Sequence, residues 1–169
     1  LYTGDGKGKT TAALGAAFRA MGNGAKVIMF QFIKGPWLSG EDFLAPKLNG
    51  LDFKIIKGGK GFIGILGDTL PFSEHKKAAQ ATLSQVAKAA KSKKYDLIIL
   101  DEVNVAVSLK LIKAQDIIDV IKKQDAVDFI LTGRSAPKQF YKIADIVSEI
   151  KSAKHRFDKG NLAKKGLEY

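Results

Sequence analysis

A glycine-rich segment near the start of the chain carries the clearest chemical signal. It reads Gly4-Asp5-Gly6-Lys7-Gly8-Lys9-Thr10-Thr11 and lies between a strand end and a helix start. Glycines let backbone N–H groups turn inward toward a phosphate chain, and the N-terminus of the following helix complements its negative charge. In such a loop the lysine reaches the phosphates and the next hydroxyl binds Mg²⁺. The segment predicts a phosphate-binding loop with Lys9 and Thr10 as its active side chains.

The loop departs from the usual pattern in one position. The pattern begins with glycine five residues before the glycine of Gly-Lys-Thr, and Thr3 stands there instead. Because such a loop normally follows a complete strand, we expect most of the first strand to precede Leu1. The alternative interpretation is a glycine-rich turn that binds nothing.

Charged residues follow two other predicted strands. Asp101 and Glu102 end an apolar run, where an acid of a Mg²⁺ or water network is expected beside bound nucleotide. Arg134 follows Thr132-Gly133 after another strand, and its planar guanidinium can bind phosphate through two hydrogen bonds. The carboxyl ends of parallel strands share one edge of a sheet, so we expect these groups near the loop. The alternatives are a solvated acidic turn and a surface arginine.

Three aromatic side chains are candidates without a motif of their own. Trp37 follows a Gly-Pro turn and either packs in the core or contacts a flat ligand. His155 follows the last predicted strand and is either a surface or packing residue or a ligand-binding one. His75, with two lysines after it, predicts a solvated helix start.

Strands and helices alternate along the chain, which indicates a parallel sheet with right-handed crossovers. The strands are predicted at 26–32, 51–56, 95–100, 128–132 and 146–150. The helices are predicted at 9–21, 41–48, 73–91 with Ser73 as its cap, 114–123 and 136–143. A glycine-rich stretch at 58–72 has no period and predicts a mobile loop. We expect one α/β domain over residues 1–169.

Composition excludes several function classes. The 169 residues are 46% hydrophobic and 27% charged, as in ordinary globular domains. No cysteine is present, which excludes disulfides, thiolate metal sites and cysteine nucleophiles. The only histidines are His75 and His155, too few for a histidine-rich metal cage. No apolar run is long enough to cross a bilayer and no secretory leader is visible, so we expect a soluble, cytoplasmic protein without membrane contact.

The formal net charge of +11 permits nucleic acid or a polyanionic small ligand as a partner, or a lysine-rich solvated surface. Among the 28 basic residues only Arg19, Arg134 and Arg156 are arginine. Proteins that bind nucleic acid often use arginine for paired contacts to bases and phosphates. The lysine excess therefore argues against nucleic acid.

Taken in order, several motifs resemble the P-loop ATP:cob(I)alamin (corrinoid) adenosyltransferases. The resemblance covers nearly the whole chain. The matching stretches are Tyr2–Ala13, Gln31–Gly35 with Trp37 and Glu41, Ile99–Glu102, Leu131–Arg134, Ala144–Glu149, Lys154–Gly160 and Lys165–Tyr169. Such a match implies a P-loop, RecA-like domain with a mostly parallel sheet flanked by helices.

The resemblance also implies a reaction. Co(I) of a reduced corrinoid attacks the ribose C5′ of ATP and releases triphosphate, which suits a chain without a recognisable nucleophile of its own. By position, residues 4–11 bind ATP, Thr10 and Glu102 serve Mg²⁺ or Mn²⁺, and Arg134 contacts phosphate. Lys9, Thr10, Glu102 and Arg134 are the predicted catalytic residues. The implied partners are a second copy of the chain and an electron-donating reductase.

Two positions differ from the resembled family. Asp5 stands where its members often have asparagine, and a carboxylate there needs Mg²⁺, a lysine or the ribose hydroxyls beside it. The loop at 58–72 has phenylalanines where the family usually has an aromatic segment with tryptophan. Phe62 is the candidate ring for displacing the lower cobalt ligand, and Trp37, Phe62 and His155 are the candidate corrinoid contacts.

Two other functions fit a phosphate loop. One is phosphoryl transfer by a small-molecule kinase or ATPase, in which Glu102 would orient water or a hydroxyl. The other is a RecA-like module that binds single-stranded nucleic acid and uses ATP as a switch. The latter predicts steep salt dependence and aromatic stacking positions, whereas most aromatic residues here are phenylalanines within apolar runs.

Overall fold

The computed structural model describes residues 1–35, 37–64, 67–155, 160 and 163–167. Its strands are β1 (Tyr2–Thr3), β2 (Val27–Gln31), β3 (Phe53–Lys57), β4 (Leu97–Asp101), β5 (Asp128–Leu131) and β6 (Ser148–Glu149). Its helices are α1 (Lys9–Gly22), α2 (Gly40–Leu44), α3 (Phe72–Lys91), α4 (Val103–Ser108), α5 (Ala114–Ile121) and α6 (Lys138–Ile143), with a 3₁₀ turn at Ala45–Lys47.

All strand pairs are parallel. Four strands pair in the order β3-β2-β4-β5, and β1 pairs separately with β6. A single bridge between Tyr2 and Thr132 links β1 to the residue that follows β5. The strand before the glycine loop is therefore separated by β5 from the strand that ends in Asp101. This architecture confirms the predicted α/β class with a parallel sheet.

The two central strands, β2 and β4, are apolar up to their last residue, and they are buried on both faces of the sheet. On β2, Val27 and Met29 pack toward α1, whereas Ile28 and Phe30 pack toward the opposite face, where α3 and α5 contribute to the core. β4 alternates in the same way. Side chains that point to alternate faces of a strand explain how a continuous apolar run serves two cores.

The parallel arrangement brings the carboxyl ends of the strands to one edge. The register aligns Gln31 with Asp101 and Leu100 with Leu131, so the residues after β2, β4 and β5 emerge side by side. The loop after β1 lies at the same edge through the Tyr2–Thr132 bridge. The fold thus places the glycine loop, Asp101, Glu102 and Arg134 at one edge of the sheet.

Two predictions about α3 are wrong. The helix begins at Phe72 after Pro71, without a side-chain cap, rather than with Ser73 as the cap. His75 is buried, only 3% exposed, because it lies on the same face of the helix as Ala79, Thr82 and Val86, and its ring contacts Asp68 in the preceding loop. A short helix directly after Glu102, α4, is not predicted from the sequence. Among the described residues, no helix is both long and apolar enough to span a membrane.

Candidate functional site

The glycine loop is shaped by close backbone contact with the segment after β6. The Gly6 N–H donates to the Ile150 carbonyl at 2.7 Å. A Cβ atom at Gly6 would lie 2.6 Å from the Lys151 carbonyl oxygen, and one at Gly4 would lie 2.5 Å from that of Ile150. Gly4 also has a positive φ of 91°. Glycine is therefore required at both positions, and no local sequence pattern indicates the contact with Ile150 and Lys151.

Lys9 lies inside the curve of the loop. It is the first residue of α1, and its Nζ donates to the Gly4 carbonyl at 2.7 Å and the Gly6 carbonyl at 2.5 Å. Burial lowers the pKa of Lys9, and the positive charge of Arg134 lowers it further. The carboxylates of Glu102 and Asp5 oppose this shift. A positive charge and the N-terminus of a 14-residue helix thus meet at one point, an arrangement suited to a phosphate chain.

The other loop residues are more open. Asp5, Lys7 and Thr11 are exposed, and Thr10 is half-buried. Gly8 has a φ of 119°, and a Cβ atom there would meet nothing within 4 Å. Gly8 therefore serves the turn into α1, while the space beside it is accessible to a ligand.

Thr10 contacts Asp101 directly. Its Oγ1 donates to Asp101 Oδ1 at 2.8 Å, and Thr132 Oγ1 donates to the same oxygen at 2.8 Å. The Asp101 side chain is fully buried, and burial raises its pKa, while Lys34, Thr132 and Thr10 oppose the rise. The resemblance implies a metal role for Thr10 and Glu102, and the carboxylate in contact with Thr10 is that of the neighbouring residue, Asp101.

Glu102 lies beside Asp101 in an unusual backbone conformation. Its φ is 59°, and its N–H donates to Thr132 Oγ1 at 3.0 Å. A Cβ atom at Gly133 would lie 3.1 Å from Glu102 Oε2, so the carboxylate packs over that glycine. Burial and the charge of Asp101 raise the pKa of Glu102 from 4.5 to about 6, against the opposing effects of nearby cations. The carboxyl group of Glu102 therefore gains or loses its proton at a pH closer to neutral than an ordinary glutamate does.

Arg134 belongs to the same electrostatic cluster. Its side chain is exposed after β5, and its guanidinium lowers the pKa of both Lys9 and Glu102. Gly133 before it has a φ of 127°, a conformation that glycine adopts readily. The structure thus brings Lys9, Thr10, Glu102 and Arg134 to one edge of the sheet, as the sequence predicted for their positions.

A polar bridge that the sequence analysis did not assign extends from Asp101 toward α2. Lys34 Nζ lies 3.8 Å from Asp101 Oδ2 and 2.8 Å from Glu41 Oε1. Burial would lower the pKa of Lys34, but Asp101 and Glu41 outweigh it and hold that pKa above its ordinary value. Gln31 Nε2 lies 3.5 Å from Asp101 Oδ2 and 3.4 Å from Glu41 Oε1. Gln31 could have been selected as a site residue from the sequence, because it is a polar residue at the end of an apolar strand.

Trp37 and Phe62 form an exposed aromatic pair. Their ring centroids are 6.3 Å apart with an interplanar angle of 23°. Trp37 is 58% exposed and Phe62 is 43% exposed, so Trp37 is not a core residue. Lys57 Nζ donates to the Trp37 carbonyl at 2.5 Å and pairs with Asp42 of α2 at 2.6 Å. The loop between β2 and α2 contains Trp37, and Glu41 of the polar bridge lies at the start of α2, four residues after Trp37.

The oxygen atoms around Thr10 suit a hard divalent cation. Mg²⁺ prefers oxygen ligands and is usually held by one or two carboxylates together with substrate phosphates. The Thr10 hydroxyl and the carboxylates of Asp101 and Glu102 supply that donor set, and Gln31 Oε1 is a buried oxygen with no hydrogen-bond partner within the described ranges. Within the same ranges, no cluster of three or more His, Cys, Asp or Glu residues could bind a metal by itself. The residues therefore fit Mg²⁺ bound jointly with phosphate.

His155 is half-buried beyond β6, and its role stays a prediction. Several residues of the matching stretches lie outside the described residues. They are Arg156, Phe157, Asp158, Lys159, Glu168 and Tyr169.

Comparison with known proteins decides the family. The model of the ATP:corrinoid adenosyltransferases BtuR/CobO/CobP matches residues 1–169. The chain belongs to this family. A corrinoid adenosyltransferase of Escherichia coli strain K12 is 33% identical over 171 residues, which covers 100% of this chain and 84% of that protein. The corrinoid adenosyltransferase CobA of Salmonella typhimurium is 33% identical with the same coverage.

A third relative, a corrinoid adenosyltransferase of a Sinorhizobium species, is 30% identical over 169 residues, covering 99% of this chain and 78% of that protein. Membership in the family makes the chain an adenosyltransferase, and family members act on ATP and corrinoids. The predicted family and enzyme class are thereby confirmed. The role of each site residue stays open to experiment.

Proposed function

We propose that this chain transfers the 5′-deoxyadenosyl group of ATP to the Co(I) of a reduced corrinoid and releases triphosphate. The observation that carries the proposal is the meeting of two unlike surfaces at one sheet edge. One is the glycine loop with Lys9 inside it, and the other is the exposed Trp37–Phe62 pair. Lys34 lies between them, because it contacts Asp101, which binds Thr10 of the loop, and Glu41, four residues after Trp37.

The bonding changes balance without a protein nucleophile. An electron pair of Co(I) forms the cobalt–carbon bond to C5′ while the C5′–O5′ bond breaks. The pair from the broken bond stays on O5′, which leaves as part of triphosphate, and cobalt becomes formally Co(III). The protein must therefore stabilise charge on the leaving group and align C5′ with cobalt.

Charge stabilisation is the role we propose for the glycine loop and its neighbours. Lys9, the N–H groups at the start of α1 and Arg134 would bind the triphosphate, where negative charge develops. Thr10, Asp101 and Glu102 would hold Mg²⁺ against the phosphates. When bound, Mg²⁺ supplies neutralisation of phosphate charge.

Alignment is the role we propose for the aromatic pair. A corrin ring is broad and flat, and exposed aromatic faces bind such a surface by stacking and by removing apolar area from water. Trp37 and Phe62 would bind the corrinoid so that cobalt faces C5′. Phe62 would also be the ring that displaces the lower cobalt ligand, and His155 is a third candidate contact.

The biological setting belongs to the same proposal. The substrate would be cobalamin or a precursor such as cobyrinic acid a,c-diamide, in adenosylcobalamin synthesis or salvage. Co(I) requires an electron donor, so a reductase must act before this step. Such chemistry fits a reducing cytoplasm, and we further propose that residues 1–169 act as one P-loop domain in a homodimer, which light scattering in solution would test.

Product analysis tests the reaction. The protein is incubated without oxygen with Mg-ATP and chemically reduced cobalamin, and the corrinoid spectrum is followed while phosphorus NMR identifies the phosphate products. We expect adenosylcobalamin and triphosphate in equal amounts. ADP and phosphate with an unchanged corrinoid would contradict the proposal and favour phosphoryl transfer.

A further inference from the structure

The loop that carries Phe62 is flexible by composition, which raises the question of what holds the ring in place. It contains Gly58, Gly59, Gly61, Gly64 and Gly67. Of these, Gly61, Gly64 and Gly67 have φ values of 114°, 70° and 79°. Glycine loses more backbone freedom on folding than any other residue, so a defined position for Phe62 requires specific contacts.

The first half of the loop is held by backbone contacts with the residues after β2. Gly59 N–H donates to the Gln31 carbonyl at 3.1 Å, and Gly61 N–H donates to the Ile33 carbonyl at 3.0 Å. A Cβ atom at Gly35 would lie 2.8 Å from Gly61 N, so the two backbones touch. Within the part of the loop that the structure describes, these backbone hydrogen bonds reach Gly61, one residue before Phe62.

In the second half, the side chain of Ile63 packs against the hydrophobic core, and the side chain of Asp68 binds the loop backbone. Its Oδ2 accepts the Gly64 N–H at 2.9 Å, and its Oδ1 accepts the Leu70 N–H at 3.1 Å. Oδ1 also lies 3.1 Å from His75 Nε2. The Gly64 and Leu70 N–H groups lower the pKa of Asp68, so it is a carboxylate that only accepts and the histidine nitrogen donates.

His75 anchors this arrangement to the body of the protein. It is 3% exposed on α3, the 20-residue helix whose inner face packs into the core. The contacts therefore run from α3 through His75 and Asp68 to Gly64, two residues from Phe62, and end at the Trp37 ring. Because a Cβ atom at Gly61 would lie 3.0 Å from the Trp37 ring, that ring also rests on the loop backbone.

We propose that Asp68 and His75 are positioning residues that hold Phe62 against Trp37 and so set the corrinoid-binding surface. The corrinoid part rests on the proposed function, whereas the placement of Phe62 does not. Neither residue touches the reacting atoms in this account. Removing their contact leaves the phosphate loop intact and releases only the aromatic side of the site.

Trp37 makes the proposal measurable, because it is the only tryptophan in the chain. Acrylamide quenching of its fluorescence reports how far Phe62 and the loop shield it, with no substrate present. We expect His75→Ala and Asp68→Ala to raise the quenching constant to the value of Phe62→Ala. His75→Gln, whose amide can replace the donor, should restore the wild-type value. Val86→Ala removes a fully buried side chain from the same helix and should leave quenching unchanged.

Asp68→Ala covers the case in which His75→Ala fails to fold, since Asp68 lies in the loop rather than in a helix. In both alanine variants, the KM for the reduced corrinoid should rise about 3- to 10-fold, the amount expected for a lost aromatic contact. The KM for ATP should stay unchanged. Unchanged quenching in either folded alanine variant, or an equal rise with Val86→Ala, would overturn the positioning role. Failure of wild type to form adenosylcobalamin would instead overturn the proposed function and leave the quenching result valid.

Discussion

The two sides of the site are built differently. On the phosphate side, Lys9 donates to carbonyls of the glycine loop and Thr10 donates to Asp101, whose position is set by the register of parallel strands. On the aromatic side, Trp37 and Phe62 lie in loops and remain largely exposed. Lys57 binds the Trp37 carbonyl, and Asp68 binds the loop backbone two residues from Phe62. The sheet thus positions the charged groups, whereas individual side chains position the flat apolar surface.

This difference has a kinetic consequence. Changes on the phosphate side should lower the rate of the chemical step, because those groups are proposed to stabilise the leaving group. Changes on the aromatic side should weaken the binding of one substrate and leave the other unaffected. Four predictions test this division, in order of decreasing effect.

Lys9→Ala should have the largest effect. It removes the cation inside the glycine loop, and we expect kcat/KM to fall by about 10²–10³-fold, the range for loss of one charge-stabilising donor in a transition state. The matched control is Lys88→Ala, which removes an exposed lysine from α3. Anaerobic initial rates give both values, and near-normal turnover by Lys9→Ala would remove the loop from the mechanism.

Thr10→Val should have the next largest effect. It keeps the shape of the side chain and removes the hydroxyl that donates to Asp101, so we expect kcat to fall by about 10²-fold. Thr10→Ser keeps the hydroxyl and should retain most of the activity. Rates measured across a Mg²⁺ titration compare the two, and equal activity in both variants would show that the hydroxyl has no role.

Phe62→Ala should act on the corrinoid alone. Loss of the stacked ring should raise the corrinoid KM about 3- to 10-fold and leave the KM for ATP unchanged. If Phe62 also displaces the lower cobalt ligand, kcat should fall with intact cobalamin and change little with a corrinoid that lacks that ligand. Equal losses on both substrates would exclude the displacement role.

Glu102 provides a smaller, pH-dependent test. Its pKa is raised from 4.5 to about 6, so the folded protein binds its proton more tightly than the unfolded chain does. The ionised form is therefore penalised in the folded state, and the free energy of unfolding should fall as pH rises from about 4.5 to about 6. The expected loss is about 2 kcal/mol.

Urea unfolding without Mg²⁺ or nucleotide measures this loss. Glu102→Gln removes the titrating group while Asp101 remains, so its free energy of unfolding should change less over the same pH range. An identical pH dependence in wild type and Glu102→Gln would mean that the carboxylate of Glu102 is not destabilised by burial in the folded protein.

The phosphate side was largely predictable from sequence because its signals are local. The glycine loop is a continuous motif, and β2 and β4 are apolar runs long enough to identify as buried strands. The contact between Thr10 and Asp101 was not predictable, since it joins residues 91 positions apart through strand order and register. The helix α4 was missed because it is short and rich in valine, which favours strands.

The aromatic side was predictable only in part. Trp37 and Phe62 were selected separately as candidate contacts, but nothing local indicates that they stack. The two lysines after His75 predict a solvated residue, whereas His75 continues the buried face of α3, and its polar partner, Asp68, lies in a loop without periodicity. Tertiary partners drawn from irregular segments leave little pattern in a sequence.

The central claim is that the bond broken in ATP is the one between C5′ and O5′. ATP labelled with ¹⁸O at O5′ tests this claim directly, with reduced corrinoid, Mg²⁺ and the wild-type protein under anaerobic conditions. Mass spectrometry of the products locates the label. The account predicts that all of the label leaves in triphosphate and that adenosylated corrinoid accumulates in equal amount. Label retained on the nucleoside, in ADP, would mean attack at phosphorus and would contradict the account.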